Sequence, residues 1–179
     1  MPNLDSLRAK LFSAQSRFLT AADTIPLDLW QTSPSANAWS AADVVAHLCQ
    51  IESSIIANCD RILRHAPRPV PFLKRFRLPL FLAEYRVRRF QSPLPVDPAL
   101  LAEKDPMLAA LCTVRERTLA FVDETKSRNL APYCFPHPFL GMFSLYTWLE
   151  LVASHQLRHS KQVHEIATLL PKHVVTSQK

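Results

Sequence analysis

The sequence predicts an all-α protein, a four-helix bundle with one long crossover connection. The chain holds one glycine against fifteen prolines. A β-rich fold places glycine in its turns, whereas a helical chain uses proline as punctuation between helices. No run of alternating β-branched residues marks a sheet. Four segments instead carry apolar residues at steps of three and four, the signature of one buried helix face.

The first helix is predicted from about Leu4 to Ala22. Its stripe is Leu4, Leu7, Leu11, Ala14 and Phe18, and Asp5 suits the positive N-terminal end. The second starts at Ser40, where Ser40-Ala-Ala-Asp43 fits a capping box. Its stripe is Val44, Leu48, Ile51, Ile55 and Ile62, with His47 beside it, and it ends before Pro67.

The segment 67–98 is a proline-rich connection whose middle, Phe72 to Phe90, can form short amphipathic helices. A connection this long inside a compact domain is unusual and often functional. Asp105-Pro106 reads as an N-cap followed by proline at the first helical position. The third helix then runs to about Lys126, with Met107, Leu111, Val114, Thr118 and Phe121 inward. Pro132, Pro136 and Pro138 break the chain. The fourth helix starts near Ser144 and ends before Pro171, with Leu145, Trp148, Val152, His155, His159, Val163, Ile166 and Leu170 on its stripe. The length of the second connection predicts a crossover rather than four hairpins.

At 179 residues the chain is expected to be a single domain, 1–179, carrying a basic insertion at about 67–98. No apolar run reaches the roughly 18 residues of a membrane span. The start, Met1-Pro-Asn-Leu-Asp-Ser-Leu-Arg8, lacks the charged and apolar blocks of a signal peptide. The default expectation is a cytoplasmic protein. Cys49, Cys59, Cys112 and Cys134 show no paired spacing and are expected as reduced thiols. The net charge of +6 is local: Arg61 to Phe90 holds nine Lys or Arg and one acid, Glu84, which leaves about −2 for the rest.

Three histidines carry the functional message. His155 and His159 are four residues apart on the inward stripe of the fourth helix, so their rings stand one above the other. Burying two imidazoles without partners costs about 1–3 kcal/mol each. One metal ion supplies both partners. His47, inward on another long helix, completes a three-ligand set that leaves coordination positions open, as in a catalytic rather than a structural site. Position 156 is Gln where a zinc peptidase of the His-Glu-x-x-His type has its general base, so peptidase chemistry is rejected. An imidazole set suits zinc, nickel, iron or copper and disfavours calcium or magnesium. Three neutral ligands leave the ion's charge uncompensated, which favours a bound hydroxide or thiolate over the neutral acid. A thiolate held so can attack an electrophile at neutral pH.

These residues carry a family resemblance. Trp39-Ser40 leading to His47-Leu48, then His137-Pro138-x-x-Gly141, then Trp148, His155, Arg158-His159 and Gln162, resembles the DinB-like superfamily, the DinB/YfiT-like metalloenzymes. The likeness runs from Trp30 to Ile166. It implies a four-helix bundle, a divalent metal on His47, His155 and His159, and a homodimer. It also implies thiol chemistry, since characterised relatives include S-transferases using bacillithiol, mycothiol or glutathione and a mycothiol-dependent maleylpyruvate isomerase. The basic insertion departs from the shorter members.

Gln162 is a candidate to orient a ligand or water, and His137 a candidate to line the pocket mouth or donate a proton. Each also fits a bland role, as a solvated helix residue and a turn residue. Cys134 and His137 make a weak second metal pair. Cys49 lies about 200° around the helix from His47 and should not share its ion. Glu52 and Glu150 lie on the metal-bearing helices and each could be a base, but a carboxylate on a helix is usually solvated, and both are read so. The interleaved cations and aromatics of 67–90 fit a solvated lid whose aromatics pack on the bundle, a pocket cover that attracts an anionic cosubstrate, or weak contact with a membrane surface, the first two being favoured. No recognition helix stands out, so nucleic acid is not an expected partner. The reading is a metal-dependent transferase of the thiol S-transferase kind acting on a small molecule. Its alternative is a non-catalytic metal- or ligand-binding stress-response protein.

Overall fold

The computed structural model describes residues 3–67, 97–138 and 140–170. The helices expected between Phe72 and Phe90, and with them the roles weighed for the basic insertion, lie outside the described residues. Four long helices form as expected: α1 (Leu4–Asp23), α2 (Ala41–Leu63), α3 (Lys104–Glu124) and α4 (Leu145–Leu169). Two short 3-10 turns, Leu27–Leu29 and Pro98–Leu100, lead into α2 and α3.

The helix starts are set by side chains. Asn3 Oδ1 accepts from the backbone N–H groups of Asp5 and Ser6 at α1. At α2 the expected capping box is present: Ser40 Oγ accepts from Asp43 N at 3.1 Å, and Asp43 Oδ2 accepts from Ser40 N at 2.8 Å. Ser144 caps α4 by accepting from Thr147 N.

The start of α3 differs from expectation. Its N-cap is Glu103 rather than Asp105, so Pro106 sits at the third helical position. The first four N–H groups of a helix have no intrahelical partner, so proline is tolerated there. The earlier start places Lys104 where its Nζ donates to the Ile25 carbonyl at 2.9 Å. That bond ties α3 to the end of α1.

Helix directions follow from two apolar clusters. One gathers Leu7 and Leu11 of α1, Ile55 and Cys59 of α2, Phe121 and Val122 of α3, and Leu145 to Ala153 of α4. The other gathers Phe18 to Ala22 of α1, Ala41 to Leu48 of α2, Met107 and Leu111 of α3, and Val163 and Ile166 of α4. Thus α1 and α4 run parallel, and α2 and α3 run parallel in the opposite sense. The main packed pairs are α1 with α4 and α2 with α3. The end of α2 and the start of α3 therefore lie at opposite ends of the bundle, and the long connection is the expected crossover.

Between the two clusters runs a polar layer that includes buried Glu52, Arg115, Thr118 and Gln156. Glu52 corrects the sequence reading of a solvated carboxylate: it is 4% exposed and accepts from Arg115 Nε at 2.8 Å and Arg115 Nη2 at 2.9 Å. Arg115 donates its remaining nitrogen to the Leu11 carbonyl, and Thr118 Oγ1 donates to Glu52 at 2.6 Å. A buried charge pair survives only when its remaining polar atoms are satisfied, and this one is.

One feature of the described residues is not helical. Cys134–His137 and Gly141–Ser144 pair antiparallel as a hairpin, β1 and β2, with His137 opposite Gly141. Gly141, the chain's sole glycine, has φ +83° and is the residue that closes this turn. That left-handed conformation is costly for any side-chain-bearing residue.

Candidate metal centre

The site lies between α2 and α4, which run antiparallel and bring His47 level with His155 and His159. The capping box fixes where α2 begins, and so sets the turn that presents His47. The four-residue step on α4 then stacks the other two rings. His47 Nε2 stands 3.3 Å from His155 Nε2, and His155 Nε2 stands 3.1 Å from His159 Nε2. All three donor atoms lie within 4.8 Å of one another. His47 and His159 are 5% and 6% exposed, and His155 keeps partial exposure.

Hydrogen bonding alone does not account for this convergence. Gln162 Oε1 lies 2.8 Å from His159 Nδ1. An amide oxygen only accepts, so Nδ1 of His159 carries the proton and its Nε2 is a bare lone pair. His155 Nε2 has one in-plane site and faces two neighbours. Two nitrogens bound to one zinc ion at about 2.0–2.1 Å stand roughly 3.3 Å apart at the tetrahedral angle. The two separations from His155, 3.3 and 3.1 Å, match that spacing. The residues fit a divalent transition metal.

Burial keeps the three rings neutral. It pushes the His47 pKa down to about 4. Burial is also the main cause at His155, with help from the charges of His47, Arg158 and His137, and the result is about 3. His159 falls well below the usual range, first by burial and then by His155 and His47, against the Gln162 hydrogen bond. A neutral imidazole is the form that ligates.

Aromatic rings line the site. Trp39 stands immediately before the Ser40 cap. Its ring lies 4.9 Å from His47 and 6.2 Å from His159, nearly parallel to the latter. Two turns before His155, Trp148 stacks on Phe135 at 4.3 Å and on His137 at 5.3 Å, and its Nε1 donates to the Phe135 carbonyl. The hairpin thus holds His137 against the α4 face that bears His155, close enough for its charge to act there. Burial lowers the His137 pKa as well.

The other sequence candidates fall outside the cluster. Cys134 and His137 are three residues apart on one strand, so they point to opposite faces and do not form a chelating pair. Glu150 is half-buried and lines a cleft with Asn3, Ser6 and Lys10 where α1 and α4 begin. The four cysteines are free thiols. Burial raises Cys49 to about 11 and Cys59 to about 12, so neither is a thiolate at neutral pH. Trp39, which opens the motif that carries the family resemblance, sits over the rings. Arg115 was not singled out from sequence; it sits in the inward sector of α3, signalled only by its place between Val114 and Thr118.

No helix among the described residues is long and apolar enough to cross a membrane. The chain matches the DinB superfamily over residues 11–163, a span that contains all three histidines. It is similar to the uncharacterized protein YuaE of Bacillus subtilis (strain 168), with 26% identity over 134 residues, 74% of this chain and 80% of that protein. No solved structure matches it. With a match across most of its length, the chain belongs to the DinB superfamily.

Proposed function

We propose that the chain is a metal-dependent enzyme that joins an intact low-molecular-weight thiol, through its sulfur, to a small electrophile, with loss of the thiol proton and, where the electrophile carries one, of a leaving group. His47, His155 and His159 would hold one zinc, nickel or iron ion. The observation that supports this most is the convergence of three buried or half-buried imidazoles, with His155 Nε2 at 3.3 Å from His47 Nε2 and 3.1 Å from His159 Nε2. A divalent ion held by three uncharged ligands keeps its charge and makes a thiol acidic enough to lose its proton at neutral pH.

The chain's own residues have distinct parts in this reading. Gln162 holds His159 in the tautomer that presents Nε2. Trp39 shields the site from water on the side of His47 and His159. His137, half-buried and stacked on Trp148 with its pKa lowered by burial, would take the thiol proton or return one to the leaving group. The raised pKa values of Cys49 and Cys59 favour a thiol brought in from solution over either of these cysteines. Homodimerisation and a cytoplasmic location complete the proposal.

The test is turnover. Cysteine-based thiols are offered with alkyl halide, epoxide and unsaturated carbonyl electrophiles, and thiol loss is followed with and without zinc, nickel or iron. The reading expects metal-dependent turnover that disappears in His155→Ala/His159→Ala. A protein that binds metal yet turns over none of these pairs supports the alternative of a non-catalytic binding protein.

A further inference from the structure

His47 and His159 both turn Nε2 toward the centre, and a neutral ring that ligates through Nε2 carries its proton on Nδ1. For His159 the acceptor is Gln162, three residues on along α4. For His47, Nδ1 is buried and meets no hydrogen-bond partner among the described residues. Three residues on along α2 stands Gln50, whose Oε1 is also buried and meets no donor among them.

These two unpartnered atoms are complementary. A ring N–H donates and an amide oxygen accepts. Their spacing repeats that of His159 and Gln162, and residues three apart are neighbours on a helix surface. The α4 pair demonstrates that a glutamine at this spacing reaches an imidazole Nδ1. Trp39, packed against the His47 ring, has no acceptor atom to offer. Leaving both atoms unpaired is costly, and a hydrogen bond between them would satisfy both at once.

We propose that Gln50 is the positioning residue of His47, accepting its Nδ1–H when the site is loaded, as Gln162 does for His159. This rests on the metal-centre reading above. Two of the three ligands would then be oriented by a glutamine on their own helix. An amide fixes the tautomer without adding negative charge, which leaves the ion more electrophilic than a carboxylate partner would.

The test measures zinc affinity by chelator competition in the full chain, for the wild type, Gln50→Ala, Gln50→Glu and Gln162→Ala. Long-range proton–nitrogen NMR follows His47 in the zinc-loaded protein. Gln50→Ala and Gln162→Ala should each weaken binding by about 10–100-fold. Gln50→Glu should restore tight binding, because a carboxylate also accepts from Nδ1–H. The His47 Nδ1 proton should be protected from exchange in the wild type and lose that protection in Gln50→Ala. If Gln50→Ala binds zinc as tightly as the wild type while Gln162→Ala binds weakly, the metal centre stands and the Gln50 assignment falls. Equal weakening in Gln50→Ala and Gln50→Glu with an unchanged His47 signal means general packing and also overturns it. A wild type that binds no zinc removes both.

Discussion

Glu52 of α2 and Arg115 of α3 form a two-point ion pair in the middle of the bundle, with Arg115 fully buried and Glu52 nearly so. The pair joins two parallel helices that no short loop connects. Because Leu11 and Thr118 satisfy the remaining polar atoms, it also sets the sliding register of α2 against α3. His47 lies five residues from Glu52, so that register reaches the metal centre.

Removing one partner leaves a buried charge uncompensated, which costs about 3–5 kcal/mol. Arg115→Met is therefore expected to lose stability on that scale in urea unfolding. The double variant Arg115→Met/Glu52→Leu should recover most of the loss. A single variant as stable as the wild type would mean that the pair does not organise the bundle.

Gly141 is expected to resist substitution for backbone reasons alone. A Cβ there would meet nothing within 4 Å, but φ is +83°. Asparagine tolerates that region better than a β-branched residue. Gly141→Val should lose about 1–2 kcal/mol or more, and Gly141→Asn clearly less. Equal losses in thermal unfolding would point to a cause other than φ.

The helices and the His155–His159 pair were legible in the sequence because each rests on local periodicity, while His47 joined them through its inward place on another helix and the family resemblance. The stripes of α1, α2 and α4, the Ser40 capping box and the four-residue step from His155 to His159 are all short-range patterns. What was hidden depends on distant partners. Glu52 reads as solvated because a carboxylate on a helix usually is, and only Arg115, on a helix beyond the crossover, reverses that. The hairpin was hidden because its strands are four residues each, with prolines in and beside them, too short for alternation to show. The start of α3 lies earlier than Asp105-Pro106 indicates, and the Lys104 contact with Ile25 at that start joins residues far apart in sequence. The partner of His159 was visible as a candidate at Gln162, whereas Gln50 gains meaning only once Nδ1 of His47 is seen to be buried.

The buried histidines make the metal-free protein sensitive to acid. Their folded-state pKa values, about 4 for His47, about 3 for His155 and well below 6.5 for His159, lie under the ordinary value of 6.5. Between pH 6.5 and 4 the unfolded chain therefore binds protons that the folded chain excludes. Stability is full above 6.5 and falls as pH drops through that window. Carboxylates titrate nearby, so the comparison is with a variant carrying Gln at all three positions. Urea unfolding of the metal-free wild type should steepen its loss of stability between pH 6.5 and 4 relative to that variant. Parallel profiles would mean that the rings are not held neutral.

Elemental analysis decides whether His47, His155 and His159 bind one metal ion. Protein purified without a metal-affinity tag is measured beside His155→Ala/His159→Ala, with helical content checked by circular dichroism. About one zinc, nickel or iron per chain is expected in the wild type, and its loss in a variant that keeps its helices. No metal in either protein, even after incubation with each ion, would make the three histidines core residues.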